Sequence, residues 1–244
     1  MSLVADTWSW FTTASNWTGA NGIIHRTWQH IQYSFWASLM AAALALPLGL
    51  VLGHTRKLPF VSVNVAGVAR ALPTLGLVIL VSLRWPLRLW PVLIILALLA
   101  VPPILANTYA GIAGVDPDVS DAAKGMGMTG RQVLTRVELV LASPLILTGV
   151  RSGVNQVIAT AAVAAYPGLG GLGRFLIDGL AATDYAELAG GAVLVVGLAL
   201  VVEGLFALLQ RAVAPPGVQV PRRRDMAILR PFRRPVRGLP ATET

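Results

Sequence analysis

The 244-residue chain is 55% hydrophobic and 12% charged, with a mean hydropathy of +0.69; a soluble domain carries roughly a quarter charged residues, so an ordinary soluble domain is excluded. Cysteine is absent, which removes disulfides, iron–sulfur clusters and thiol catalysis. A net charge of +8 and a pI of about 11.0 suit nucleic-acid and membrane partners alike, but seven of the 19 basic residues fall between Arg222 and Arg237, which fits a cytoplasmic tail and not a nucleic-acid groove.

Residues 1–30 read as an extracytoplasmic segment. They lack a basic stretch followed by a short apolar one, so no cleavable signal peptide is expected. His25, His30 and His54 show no zinc-site spacing with acidic residues, and no metal is expected. A bilayer core about 30 Å thick takes roughly 20 helical residues, and five stretches between residues 31 and 211 reach that length. The first, Ile31 to Gly53, carries no charge. The second, Phe60 to Leu83, contains Arg70, and the third, Leu89 to Ala113, is uncharged. The fourth, Pro144 to Tyr166, contains Arg151, and the fifth, Leu188 to Gln210, contains Glu203. Helices satisfy every backbone group in lipid, so the expected fold is all-α, a polytopic membrane protein of about five transmembrane helices, or six.

Basic residues set the orientation. With the N-terminus outside, Arg56, Lys57, Lys124, Arg131, Arg136, Arg211 and the seven tail arginines lie inside, against Arg26, Arg84, Arg88 and Arg174 outside. The balance of 13 to 4 places the C-terminus in the cytoplasm. The tail, 212–244, reads as disordered, with anionic lipid as its partner.

The segment 114–143 is too polar to span. Asp116 is a good N-cap, Pro117 suits the first helical position, and Asp118 adds charge to the first turn. That helix ends at Gly125 and Gly127. Thr129 and Gln132 then have capping-box spacing, so a second helix starts at once. The result is an elbow with an apolar Ala/Met edge. It either docks into a partner's groove or packs against the chain's own spans.

Charges within spans are costly and functional by default. Arg151 and Glu203 lie at matching depth and are expected to pair, unless Arg151 snorkels to the headgroups. Asn155, Gln156 and Thr160 either line a pathway or hydrogen-bond between helices. Gly168, Gly170 and Gly173 satisfy G-x-G-x-x-G, but a span precedes them where a dinucleotide site needs a strand; they read as a tight outer turn.

The run D-A-A-K-G-M-G, Asp121 to Gly127, resembles the E-A-A-x-x-x-G signature of ATP-binding-cassette importer permeases. That signature continues as I-x-L-P, where this chain has Val137-Glu138-Leu139-Val140. Asp121 replaces the glutamate and Val140 the proline. The longer run from Gly114 to Leu139, N-T-Y-A-G-I from Asn107, and A-T-A-A-V-A-A-Y-P-G-L-G-G-L-G from Ala159 are similar to the osmoprotectant permeases, which import glycine betaine, choline, carnitine or proline. The resemblance covers roughly residues 31–211.

It implies a fold of the methionine-importer (MetI-like) permease type in the inner membrane, with the elbow as a cytoplasmic coupling helix. Asp121, Ala122, Ala123, Gly125, Met126, Gly127 and Met128 then contact an ATPase. The implied partners are a cytoplasmic ATPase dimer, a second permease subunit and an extracytoplasmic solute-binding protein. ATP belongs to the ATPase partner; the chain lacks G-x-x-x-x-G-K-[ST], so it is expected to hold no cofactor and to be no enzyme. The alternatives are a permease for an amino acid such as methionine, and an ATP-independent channel or secondary carrier.

Overall fold

A computed structural model of the chain describes residues 2–57 and 73–213. The described residues form helices and connecting turns, with no strand among them. The basic tail, Arg70 and most of the second expected span lie outside the described residues.

Helix α1, Leu3–Thr12, starts where the Ser2 side chain accepts from the Ala5 amide, and Asp6 sits in its first turn, where negative charge is favoured. Helix α2, Ile23–Thr55, is 33 residues long, about 50 Å at 1.5 Å per residue. It therefore outruns a bilayer core and begins about two turns before the expected Ile31, because hydropathy marks only the part in lipid. It ends at Arg56 in the left-handed conformation (φ 51°). Helix α3, Thr74–Arg84, follows Pro73. Helix α4, Leu89–Ala113, coincides with the expected third span. Short helix α5, Pro117–Gly125, leads into the elbow.

The next stretch departs from expectation. The elbow's second helix does not stop before the fourth span. Helix α6, Gly130–Val133, a π-turn over Leu134–Glu138, helix α7, Leu139–Ala161, and a 3-10 turn over Ala162–Ala165 run on as one 36-residue segment. Pro144, expected to open the span, lies inside α7. Its missing N–H leaves the carbonyl four residues back unpaired, and the Ser143 hydroxyl donates to that carbonyl, Val140 O, at 2.8 Å. Helix α8, Gly173–Ala182, was not foreseen, and α9, Tyr185–Val213, ends the described chain.

Among the described residues, four helical segments are long and apolar enough to cross a membrane: Ile23–Thr55, Leu89–Ala113, Gly130–Ala165 and Tyr185–Ala212. The 11-residue α3 is apolar too, and the expected second span continues from it into residues outside the description.

The core is the triplet α2–α4–α7, with α4 in the middle. Ala37, Ala41 and Ala45 on α2 are fully buried, as are Leu96 and Ile104 on α4. Glycines at i, i+4 spacing set the approach on both sides. A Cβ at Gly49 or Gly53 of α2 would fall 2.7 Å from the Thr108 or Ile112 side chain, and one at Gly149 or Gly153 of α7 would fall 2.6 or 2.8 Å from Asn107 or Ile104. Lipid gives helices no hydrophobic reason to associate, so close packing across small residues must hold them. Helix α9 packs on α7, α8 and α1. Its other face exposes Val193, Val196, Leu200, Leu205 and Leu208, an apolar surface suited to lipid. Trp10 of α1 lies edge-on to Phe175, ring centroids 5.3 Å apart.

Candidate functional site

Three places carry the residues that the sequence singles out. The first is the elbow. The Asp116 carboxylate accepts from the Asp118 amide at 2.9 Å, and Pro117 occupies the first turn. The helix stops at Gly127, whose φ of +86° favours glycine; the Gly127 amide donates to Lys124 O at 2.8 Å and the Met128 amide to Ala123 O at 3.2 Å. The Thr129 amide donates to Gln132 Oε1 at 2.7 Å, and the Gln132 amide returns a bond to Thr129 Oγ1, completing a capping box. Of the seven residues assigned to coupling, Asp121, Ala122, Gly125, Met126 and Gly127 are exposed, Met126 to 77%. Ala123 is buried and Met128 half-buried, so their side chains serve the elbow's own packing. Lys124 Nζ donates to Asp121 Oδ1 at 2.9 Å.

Behind the elbow lies a cluster that sequence reasoning missed. Glu138, the last residue of the π-turn, is buried, and its Oε2 accepts from His54 Nδ1 at 2.6 Å. Its Oε1 accepts from the Ser120 hydroxyl at 3.4 Å, and Ser120 is itself buried. Nearby, Arg56 Nη2 donates to Val115 O at 3.0 Å. The available signal was a lone acidic residue inside an otherwise basic and apolar stretch.

The second place is the polar face between α7 and α9. Arg151 Nε donates to Glu203 Oε2 at 2.8 Å, and a second guanidinium nitrogen meets Glu203 Oε1. Arg151 Nη1 reaches Gln210 Oε1 at 2.7 Å, Asn155 Nδ2 reaches Glu203 Oε2 at 2.6 Å, and Gln210 Nε2 reaches Thr148 Oγ1 at 3.0 Å. Thr148, Arg151, Ser152, Asn155, Gln156 and Glu203 line a cleft of about 470 Å³. The Asn155 Oδ1 atom is buried with no partner among the described residues. Thr160 is not part of this cleft; its hydroxyl donates back to Gln156 O at 2.7 Å. Thr148 and Gln210 were missed, although spacings of three from Arg151 and seven from Glu203 put them on the same helix faces.

The third place is the glycine loop after α7. Gly168, Gly170 and Gly171 all have positive φ, and a Cβ on Gly170 would fall 2.4 Å from Gln29 Oε1. Helix α2 holds the loop: Tyr33 donates its hydroxyl to Leu169 O, and Gln29 Oε1 accepts from the Gly171 amide at 3.0 Å. His30, fully buried, donates from Nε2 to Ile158 O at 3.0 Å. A helical segment precedes this loop, not a strand, so the glycines serve close approach.

Comparison with known proteins agrees with this geometry. Residues 45–217 match the family described as binding-protein-dependent transport system inner membrane component. The choline transport system permease protein OpuBB of Bacillus subtilis (strain 168) is 33% identical over 202 residues, covering 83% of this chain and 93% of that one. The osmoprotectant import permease protein OsmW of Salmonella typhimurium is 32% identical over 201 residues, 79% of this chain and 92% of its own length. Among solved structures, an inward-facing form of the MetNI methionine ABC transporter superposes with a TM-score of 0.67 at 19% identity, covering 78% of this chain and 95% of that one, which shows the fold. The chain therefore belongs to the family of binding-protein-dependent transport system inner membrane components and is a multi-pass ABC importer permease with the MetI-like fold.

Proposed function

We propose that this permease forms the membrane path for an osmoprotectant such as glycine betaine, choline, carnitine or proline. The observation that carries this reading is the similarity, across most of both chains, to permeases named for choline, carnitine and glycine betaine transport. A separate cytoplasmic ATPase dimer binds and hydrolyses the ATP, an extracytoplasmic binding protein delivers the solute, and a second permease subunit completes the path. The N-terminus lies outside and the C-terminus inside. The basic tail meets anionic lipid.

The elbow inserts its exposed edge, Asp121, Ala122, Gly125, Met126 and Gly127, into the ATPase, while Ala123 and Met128 hold that edge in shape. Small residues permit close approach, and methionine fills an irregular groove. The solute passes along the polar cleft of α7 and α9. Half-exposed charges at membrane depth are too costly to face acyl chains, so the face carrying Arg151, Asn155, Gln156 and Glu203 is turned to water or protein. The likeness to a methionine transporter is at 19% identity and supports the fold without favouring methionine as the solute.

The test is reconstitution of the permease with its ATPase and binding protein in proteoliposomes. ATP-dependent uptake of radiolabelled glycine betaine, carnitine, choline or proline is expected. Uptake of methionine with none of these four, or equal uptake without ATP, would falsify the reading. Docking is tested separately: in wild-type background, Met126→Cys should cross-link to the ATPase, and failure from every exposed elbow position would move the interface elsewhere.

A further inference from the structure

We infer that His54, Glu138 and Ser120 form the joint through which the elbow moves α2, so that they are positioning residues for the coupling of ATP hydrolysis to transport. The inference rests on the reading that the elbow docks on an ATPase. Three elements converge on one carboxylate: the last turn of α2 through His54, the first elbow helix through Ser120, and the π-turn through Glu138 itself.

The π-turn explains why a joint is needed there. Its hydrogen bonds span five residues and its turn is widened, an irregularity often found at functional sites, and Pro144 interrupts the hydrogen-bond ladder of the same segment six residues on. A push on the elbow would be absorbed by bending at Leu134–Glu138 before reaching α7. Tying the end of that turn to α2 removes this slack. The bond must be directional, because apolar contacts slide, and a buried carboxylate is such an anchor: it is costly unless held by donors, and here the donors come from the two elements that must move together. The Arg56 to Val115 O bond holds the elbow's root to the same end of α2, so α2 and the elbow are joined at both sides of α5.

A purely structural role predicts something different. Glu138 is buried and His54 partly exposed, and replacing both members of such a polar pair by apolar groups of like shape is often neutral for stability. The decisive variant is therefore His54→Leu with Glu138→Met, beside the single changes and His54→Asn, whose side-chain amide can donate from near the Nδ1 position. Each is assembled with the ATPase and binding protein in proteoliposomes. Solute uptake and ATP hydrolysis are measured in the same vesicles, together with the amount of assembled complex.

The double variant is expected to assemble and hydrolyse ATP, with solute moved per ATP reduced at least about fivefold, the lower end of typical coupling energies. His54→Asn is expected to stay near the wild-type ratio. The inference is overturned if the double variant keeps the wild-type ratio, or if the variants lose assembly, hydrolysis and uptake in parallel with the ratio unchanged. Failure of the cross-link from every exposed elbow position in wild-type background sinks the docking reading instead, and absence of osmoprotectant uptake by the wild type sinks only the solute.

Discussion

At position 151 an arginine interrupts an apolar helix, and its surroundings tell what it costs. Glu203, Gln210 and, through Glu203, Asn155 complete a network that neutralises the charge and uses most of its donors. Arg151→Gln or Glu203→Gln alone should lower the stability of the purified permease by about 1–3 kcal/mol. Fully buried pairs lose more, roughly 3–5 kcal/mol, but these side chains keep 28% and 36% of their surface exposed, and solvent screens the loss. Exchanging the two charges, Arg151→Glu with Glu203→Arg, should melt above either single exchange in a thermal scan; a double exchange no better than the worse single one would mean that the attraction between the two is not what holds them. The pair could be read from sequence because charge at matching depth in apolar stretches is rare. For the extra partners Thr148 and Gln210 the spacing gives the right helix face, but uncharged polar residues in spans are common, so spacing alone does not single them out.

Among elements, the segment Gly130–Ala165 shows where a local signature and a local structure part company. The family's proline at the fourth signature position is Val140 here. Pro144 and the π-turn flank it, and the chain passes through both without breaking. Ser143→Ala should destabilise by about 1 kcal/mol, because Val140 O then loses the donor that stands in for the missing proline amide. In a Pro144→Ala background the same change should cost nothing, as the backbone N–H supplies the bond; equal costs in both backgrounds would refute the substitution of one donor for the other. The elbow itself was legible down to its capping box, because caps are written in adjacent residues. The helix α8 was not, because ten residues between a glycine loop and a turn offer fewer than three turns of pattern, and its burial depends on Trp10 and Gly191 from other segments.

For the molecule as a whole, hydropathy located every described span but misjudged the ends of α2 and α7, since it reports the thickness of lipid and not the length of a helix. Orientation is testable with little effort because the chain has no cysteine of its own. With a membrane-impermeant maleimide on right-side-out vesicles, Asn21→Cys should label and Met126→Cys should label only after the membrane is opened; the reverse pattern would invert the topology. The packing of the bundle gives a further expectation. Gly153→Leu has no space against Ile104 and should cost about 1–3 kcal/mol or more, whereas Gly204→Ala meets nothing within 4 Å and should gain about 0.5–1 kcal/mol from helix propensity.

Helix α4 behaves in this light as a shim. It carries no charge and makes no side-chain bond to its neighbours among the described residues, yet it fixes the distance between α2 and α7 to within the width of a methyl group on both sides. A stack held to that tolerance cannot breathe internally without opening voids. Any change of access is then left to rigid rocking of the whole stack, and the give belongs at its borders: the glycine loop at one end and the elbow at the other.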